Sequence, residues 1–259
     1  MPPFAPATVS ASTASTATSA STLEADEAVL AEDREAARVA LQGTSLERAK
    51  LVVNAIRSLL RDTNDTRQVF RIGLVLARRG YPMFLTRLTL DDEGARLLRE
   101  RPAIDSSAVD FDHLRALPET TLGGAYVRFL DRHGLDPDLF QRPTGLPEVP
   151  AYVSQRMRQV HDLWHVLAGY EPDIAGEIAV QAFSFGQTKM IPPALIALVA
   201  AAKFAPKQPR ILQMLVDGYR VGSNAKFLPP VWLEERFERP LDEVRKELGI
   251  VPIRPTLLQ

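Results

Sequence analysis

From residue 44 onward the apolar positions recur at three- and four-residue spacing. Leu51, Val52, Ile56, Leu59 and Leu60 set one such face, and Val69, Ile72 and Leu76 repeat it in the next segment. This is the period of an α-helix, and the alternation that marks a half-buried strand is scarce. The same pattern predicts helices around 120–133, 150–169, 173–188, 192–204, 208–222 and 231–248. Most breaks between them hold Gly or Pro: Gly80-Tyr-Pro82, Gly134 to Pro137, Gly169 to Pro172, Pro192-Pro193 and Pro229-Pro230. Those residues end helices, because Gly tolerates the left-handed cap and Pro cannot donate to the preceding turn. The region 90–118 mixes short helical signals with loop residues. No internal repeat is visible, and the pattern predicts one all-α domain over 34–259.

Ahead of it, the first 22 residues are mostly Ala, Ser, Thr and Pro. They carry too little apolar surface to offset the cost of ordering, so a disordered tail is expected, with its boundary at 33. The segment lacks the charged start and apolar run of a secretory signal. A mitochondrial transit peptide is normally Arg-rich, and the first arginine here is Arg34. Beyond the tail, the longest uncharged apolar stretch is the thirteen residues Met190 to Ala202. A bilayer span needs about 20. Attachment to a membrane surface by an apolar face stays open.

The formal charge of -1 hides an asymmetry. Residues 1–33 hold five acids (Glu24, Asp26, Glu27, Glu32, Asp33) and no Lys or Arg, so 34–259 carries 31 basic and 27 acidic side chains, a net +4. That is too small for a nucleic-acid binder, so no nucleic-acid partner is expected. It is compatible with resting on an anionic membrane. With no cysteine in the chain, a thiolate nucleophile, an iron–sulfur cluster and a Cys-held zinc are excluded. Any metal must be held by His and carboxylate.

Four histidines are present, and His161 and His165 fall four apart in the strongest helical segment, Val153 to Ala168. At 3.6 residues per turn both imidazoles share a face, as a first-row metal requires. Asp162 sits beside them, able to reach the same ion or hold it from the edge. The chain then turns at Gly169-Tyr-Glu-Pro172, with Pro172 suited to the first position of the next helix. If the two helices pair antiparallel about Glu171, His165 and Glu177 each lie six residues from the centre. Glu177 then stands opposite the histidines as a carboxylate ligand. Leu163, Trp164, Val166, Leu167, Ile178, Val180 and Phe183 would surround the site with apolar groups. A histidine pair at helical spacing also arises in ordinary packed helices; the added carboxylates favour a metal. The pattern differs from the H-E-x-x-H of zinc proteases by an Asp for the Glu, one methylene shorter and a poorer general base.

His161-Asp162-x-x-His165, followed by eleven residues and Glu177, resembles the signature of the coenzyme Q (ubiquinone) biosynthesis protein 4 family. Flanking text matches too: Thr121-Leu-Gly-Gly124, Tyr126 and Phe129 to Asp136 on one side, and Gly218-Tyr219, Gly222, Ala225-Lys226, Leu228-Pro229 and Trp232 on the other. Pro240 to Gly249 resembles the family's closing helix. The resemblance covers about 115–250, more loosely 44–114, and not the tail.

The resemblance implies a helical protein with a divalent metal, commonly zinc, at His161, Asp162, His165 and Glu177; two His and one or two carboxylates also suit iron. It implies a role in ubiquinone synthesis, either as the enzyme that decarboxylates ring carbon C1 of a prenylated 4-hydroxybenzoate-type intermediate or as a non-catalytic scaffold for the other ubiquinone enzymes. The expected partners are that prenylated precursor, those enzymes and a membrane surface; a homo-oligomer stays open. Eukaryotic members carry mitochondrial targeting sequences, and the acidic, Arg-free start points instead to a bacterial cytoplasmic member peripheral to the inner membrane. A metal would act as a Lewis acid on the carboxylate or a phenolic oxygen. A prenyl tail needs an apolar groove, for which Met190 to Ala202 and the face of Ile211, Leu212, Leu215 and Val216 are candidates. Ordinary core packing explains the same residues. Arg156, Arg158 and Lys226 could meet an anionic group or simply be solvated.

Overall fold

A computed structural model describes residues 31–252, apart from 33, 62–65 and 140–141. The described residues are all-α, with one isolated backbone bridge, Thr121 to Pro240, outside the helices. The expected disorder of the tail concerns residues that mostly lie outside the described ones. Ala31 and Glu32, assigned to the tail by composition, are helical, and Glu32 pairs with Arg71 at 2.7 Å.

In chain order the helices are α1 (34–42), α2 (Ser45–Arg61), α3 (Thr66–Leu90), α4 (Asp92–Glu100), α5 (Phe111–Ala116), α6 (Leu122–His133), α7 (Glu148–Ala168), α8 (Ile174–Thr188), α9 (Ile191–Phe204), α10 (Arg210–Asn224) and α11 (Leu241–Leu248). The ambiguous stretch 90–118 resolves into α4 and α5, each started by an aspartate, Asp91 and Asp110, whose carboxylate accepts a main-chain N–H of the first turn. The single helix expected over 231–248 is instead a 3₁₀ turn, Leu233–Arg236, and α11. Pro240 separates them, because it cannot donate the hydrogen bond that continuity would need. The break expected at Gly80-Tyr-Pro82 does not occur, and α3 runs through Pro82. Tyr81, Phe84, Leu85 and Leu88 of that helix all pack into one cluster with Tyr152, Val153 and Trp232. Burial of that face on both sides of Pro82 outweighs the lost hydrogen bond.

The largest core joins α6, α7, α8, α10 and α11 around Trp164, Phe183, Leu163, Leu167, Leu122 and Tyr126. Within it α8 and α10 pack closest. A Cβ on Gly218 would lie 2.1 Å from the carbonyl oxygen of Ala179, and one on Gly222 2.3 Å from that of Phe183. Only glycine permits this crossing. A smaller cluster, Ala55, Leu59 and Ile72 with Ile56, Leu76 and Leu195, holds α2 against α3 and α9. Leu60, expected on the buried face of α2, is 41% exposed.

Candidate metal centre

The site is built where α7 ends and α8 begins. Gly169 caps α7 in the left-handed conformation (φ 77°), its N–H bonding to the carbonyl of His165. The guanidinium of Arg245, from α11, donates to the carbonyl oxygens of Val166 and Leu167 at 3.0 Å each. It thereby satisfies acceptors that the helix end leaves free. The next helix starts later than Pro172 suggested. Asp173 is its N-cap, accepting from the Gly176 N–H at 2.7 Å, and Pro172 sits in the turn. Glu177 emerges from the first turn of α8. The two helices do not form the tight antiparallel pair pictured from the sequence, since α8 packs chiefly on α10 and α9. Side chains bridge from α7 to α8, among them Trp164 to Phe183, with ring centroids 5.5 Å apart.

One ligand atom each from His161, His165 and Glu177 lies within 4.8 Å of the others. The two Nε2 atoms are 3.3 Å apart, and the carboxylate straddles them, 3.3 Å from His161 and 3.2 Å from His165. Two nitrogens bound at about 2.0 Å to a tetrahedral zinc stand about 3.3 Å apart, so the pair already has the spacing that ion requires. The donor set, two imidazoles and a carboxylate, suits zinc and ferrous iron alike. His165 is 1% exposed, whereas the Glu177 side chain is 45% exposed and His161 21%. Three protein ligands with one edge open leave room for an exchangeable ligand.

The charges of the cluster are coupled. Burial opposes a proton on His161, but the hydrogen bond and charge of Glu177 outweigh it and raise the pKa of that imidazole. Burial likewise opposes the Glu177 carboxylate, and the two histidines override it, holding its pKa far below the usual carboxylate range. Asp162 is not among the clustered ligands. A residue one position on from His161 is rotated by about 100° around the helix, which turns it off the histidine face. Its carboxyl is held above the usual range by burial, only partly offset by the nearby histidines.

Other expectations resolve unevenly. Leu163, Trp164, Val166, Leu167, Ile178, Val180 and Phe183 are all buried in the main core, as the spacing implied. Arg156 does not face an outside anion. It is buried and makes a two-pronged ion pair with Glu234 at 2.5 and 2.7 Å. Arg158 donates to the carbonyl of Ser154 at 3.3 Å, and Lys226 is exposed. Sequence reasoning missed Phe129, whose ring stacks on His165 with centroids 5.6 Å apart and has His133 on it at 4.9 Å. It also missed the carbonyl of Tyr170, which accepts from His165 Nδ1 at 3.1 Å.

A largely apolar cavity of about 350 Å³ lies along the same helices. Met157 and Ser154 of α7 and Gln181 of α8 line it. Met157 is one turn before His161 and Gln181 one turn after Glu177, so the cavity continues the faces that carry the triad, away from the α7–α8 turn. Leu41 of α1, Gly73, Leu74 and Tyr81 of α3, Met190 at the start of α9, and Pro192, Pro193 and Ile196 of α9 also line it. Of the Met190–Ala202 stretch, residues of the first half thus line this cavity. Of the other stretch, Ile211 is fully buried, while Leu212 and Val216 are exposed.

Residues 38–254 match the family model "Coenzyme Q (ubiquinone) biosynthesis protein Coq4". The chain belongs to the Coq4 family. It is 34% identical over 215 residues to the Bos taurus "Ubiquinone biosynthesis protein COQ4 homolog, mitochondrial", covering 81% of each chain. It is 39% identical over 168 residues to the Clavispora lusitaniae "Ubiquinone biosynthesis protein COQ4, mitochondrial", a match that takes in 62% of this chain and 51% of that one. The fold agrees with a crystal structure from Nostoc punctiforme named for ubiquinone biosynthesis (TM-score 0.64, 24% identity, 78% of this chain and 96% of that one). Among the described residues of this Coq4-family chain no helix is long and apolar enough to cross a membrane.

Proposed function

We propose that this Coq4-family protein holds a divalent metal, zinc or iron, on His161, His165 and Glu177 and removes the carboxyl group from ring carbon C1 of a prenylated 4-hydroxybenzoate-type intermediate of ubiquinone synthesis. The observation that carries this reading is the half-open two-histidine, one-carboxylate cluster beside an apolar cavity. A cation bound there supplies Lewis-acid stabilisation of negative charge on a carboxylate or phenolic oxygen. Replacement of the lost carbon by hydroxyl would further require a two-electron oxidant such as dioxygen, which would leave as peroxide; zinc has no redox chemistry, so either dioxygen reacts directly with the electron-rich ring or iron occupies the same ligands.

The chain's own residues do the rest. The hydrogen bond from His165 Nδ1 to Tyr170 aims Nε2 at the site, and Phe129 fixes the plane of that ring. The cavity takes the prenyl tail and keeps water from the ring side of the site. Burial raises the pKa of the Asp162 carboxyl, and the charges of His161 and His165 partly offset that rise.

The test is carbon dioxide release from a prenylated 4-hydroxybenzoate by the purified, metal-loaded chain under air. Turnover with zinc or iron is expected. No turnover with any divalent metal, together with normal assembly of the quinone-synthesising enzymes, would favour the scaffold role.

A further inference from the structure

The outer face of α2 carries an arrangement that neither the metal cluster nor the cores explain. Leu46, Val53 and Leu60 recur every seven residues and are 64%, 43% and 41% exposed. Lys50, Arg57 and Arg61 interleave with them and are exposed as well. At 100° per residue all six side chains fall within about a 100° arc. Glu47 is the only acid between Ser45 and Arg61. It is turned back on Thr44 in a capping box, its carboxylate accepting from the Thr44 N–H at 2.7 Å and the hydroxyl at 2.8 Å. Among the described residues no acid pairs with Lys50, Arg57 or Arg61.

The opposite face of α2 is satisfied by α3 and α9 through Ala55 and Leu59. Lys203 of α9 donates to the Leu60 carbonyl at 2.7 Å, adding a further cation at the C-terminal end of the face. At its other end only Gly43 and Thr44 separate α2 from α1, whose Leu41 lines the apolar cavity. The cavity wall and the face are therefore neighbours.

We infer that the outer face of α2 rests on an anionic lipid bilayer surface, with Leu46, Val53 and Leu60 at the acyl boundary and Lys50, Arg57 and Arg61 on the headgroups. Exposed apolar groups flanked by cations of one sign are what an interfacial helix presents. A second copy of the chain is the poorer occupant, because a two-fold contact would set this all-basic face against itself. The inference deepens the proposed function, since it names the surface from which a prenylated ring would be drawn into the cavity.

Flotation of the full chain with phosphatidylcholine vesicles, with and without phosphatidylglycerol, tests it. The wild type is expected to float with the anionic vesicles and to lose binding in high salt. Lys50→Glu with Arg57→Glu should lower partitioning by about thirtyfold or more, at roughly fivefold per cation. Val53→Asp should also weaken it, and Arg99→Glu, an exposed charge on α4, should not. Circular dichroism and metal content of each variant establish that the fold is intact. Wild-type indifference to both vesicle types, equal floating of the double variant, or equal loss in Arg99→Glu would overturn the inference. So would a dimer that Val53→Asp dissociates. If vesicle binding follows the expected order while carbon dioxide release fails, the proposed chemistry falls and this surface stands.

Discussion

His165 donates from Nδ1 to the main-chain oxygen of Tyr170 at 3.1 Å, which ties the buried imidazole to the turn between α7 and α8. A carbonyl can only accept, so the neutral ring carries its proton on Nδ1 and turns the lone pair of Nε2 toward His161 and Glu177. The same arrangement is the usual outer-shell support of a metal-binding histidine. A long-range ¹H–¹⁵N spectrum of the metal-free protein with the His165 ring neutral should show it as the Nδ1–H tautomer. A protonated Nε2 on a neutral ring would mean that the turn does not orient it.

The pH dependence of the metal-free protein follows from three groups. The raised pKa of His161 adds stability that is complete below about 6.5 and is lost as pH climbs through the folded value. The depressed pKa of Glu177 adds stability above about 4.3 that is lost as pH falls toward its folded value. Asp162, raised by burial, penalises the folded state as pH rises through its own folded value. Thermal unfolding of the metal-free chain should therefore show higher stability between about pH 4.5 and 6.5 than at pH 8. Zinc must displace the His161 proton, so its stabilising effect should grow over the same rise in pH. A zinc effect that shrinks toward pH 8 would contradict this.

Arg156 and Glu234 pin α7 to the 3₁₀ turn behind the site. Because Arg156 is buried, Glu234→Ala leaves a cation without a partner and should cost about 3–5 kcal/mol in chemical denaturation. Pairing it with Arg156→Met should recover most of that loss. Equal destabilisation in the single and double variants would show that the charge is not the cause.

At the crossing of α8 and α10, Gly218→Ala places a methyl against the Ala179 carbonyl and should destabilise by at least about 1–3 kcal/mol, since backbone must move. The substitution Gly134→Ala meets no atom within 4 Å but is strained by its φ of +63°, about 1–2 kcal/mol. Urea midpoints for the two separate crowding from backbone strain.

The triad was legible because its information is local. His161 and His165 meet by helical period, and Glu177 arrives through a short turn whose length is written in Gly169 to Pro172. What the sequence could not reveal came from distant segments. Phe129 stacks on His165 across 36 positions, and Arg156 finds Glu234 across 78, so neither partner has a local signature. Pro82 misled because burial of Phe84 and Leu88 outweighs a local rule. Leu60 misled because it adjoins Leu59 on the helix yet lies about 100° around from it.

Metal content of the purified wild type and of four variants, His161→Ala, His165→Ala, Glu177→Gln and Asp162→Asn, bears on the central claim most directly. One zinc or iron per chain in the wild type and in Asp162→Asn, and little or none in the other three with helicity retained, is the expected result. Wild-type metal content in Glu177→Gln or in either histidine variant would contradict the site.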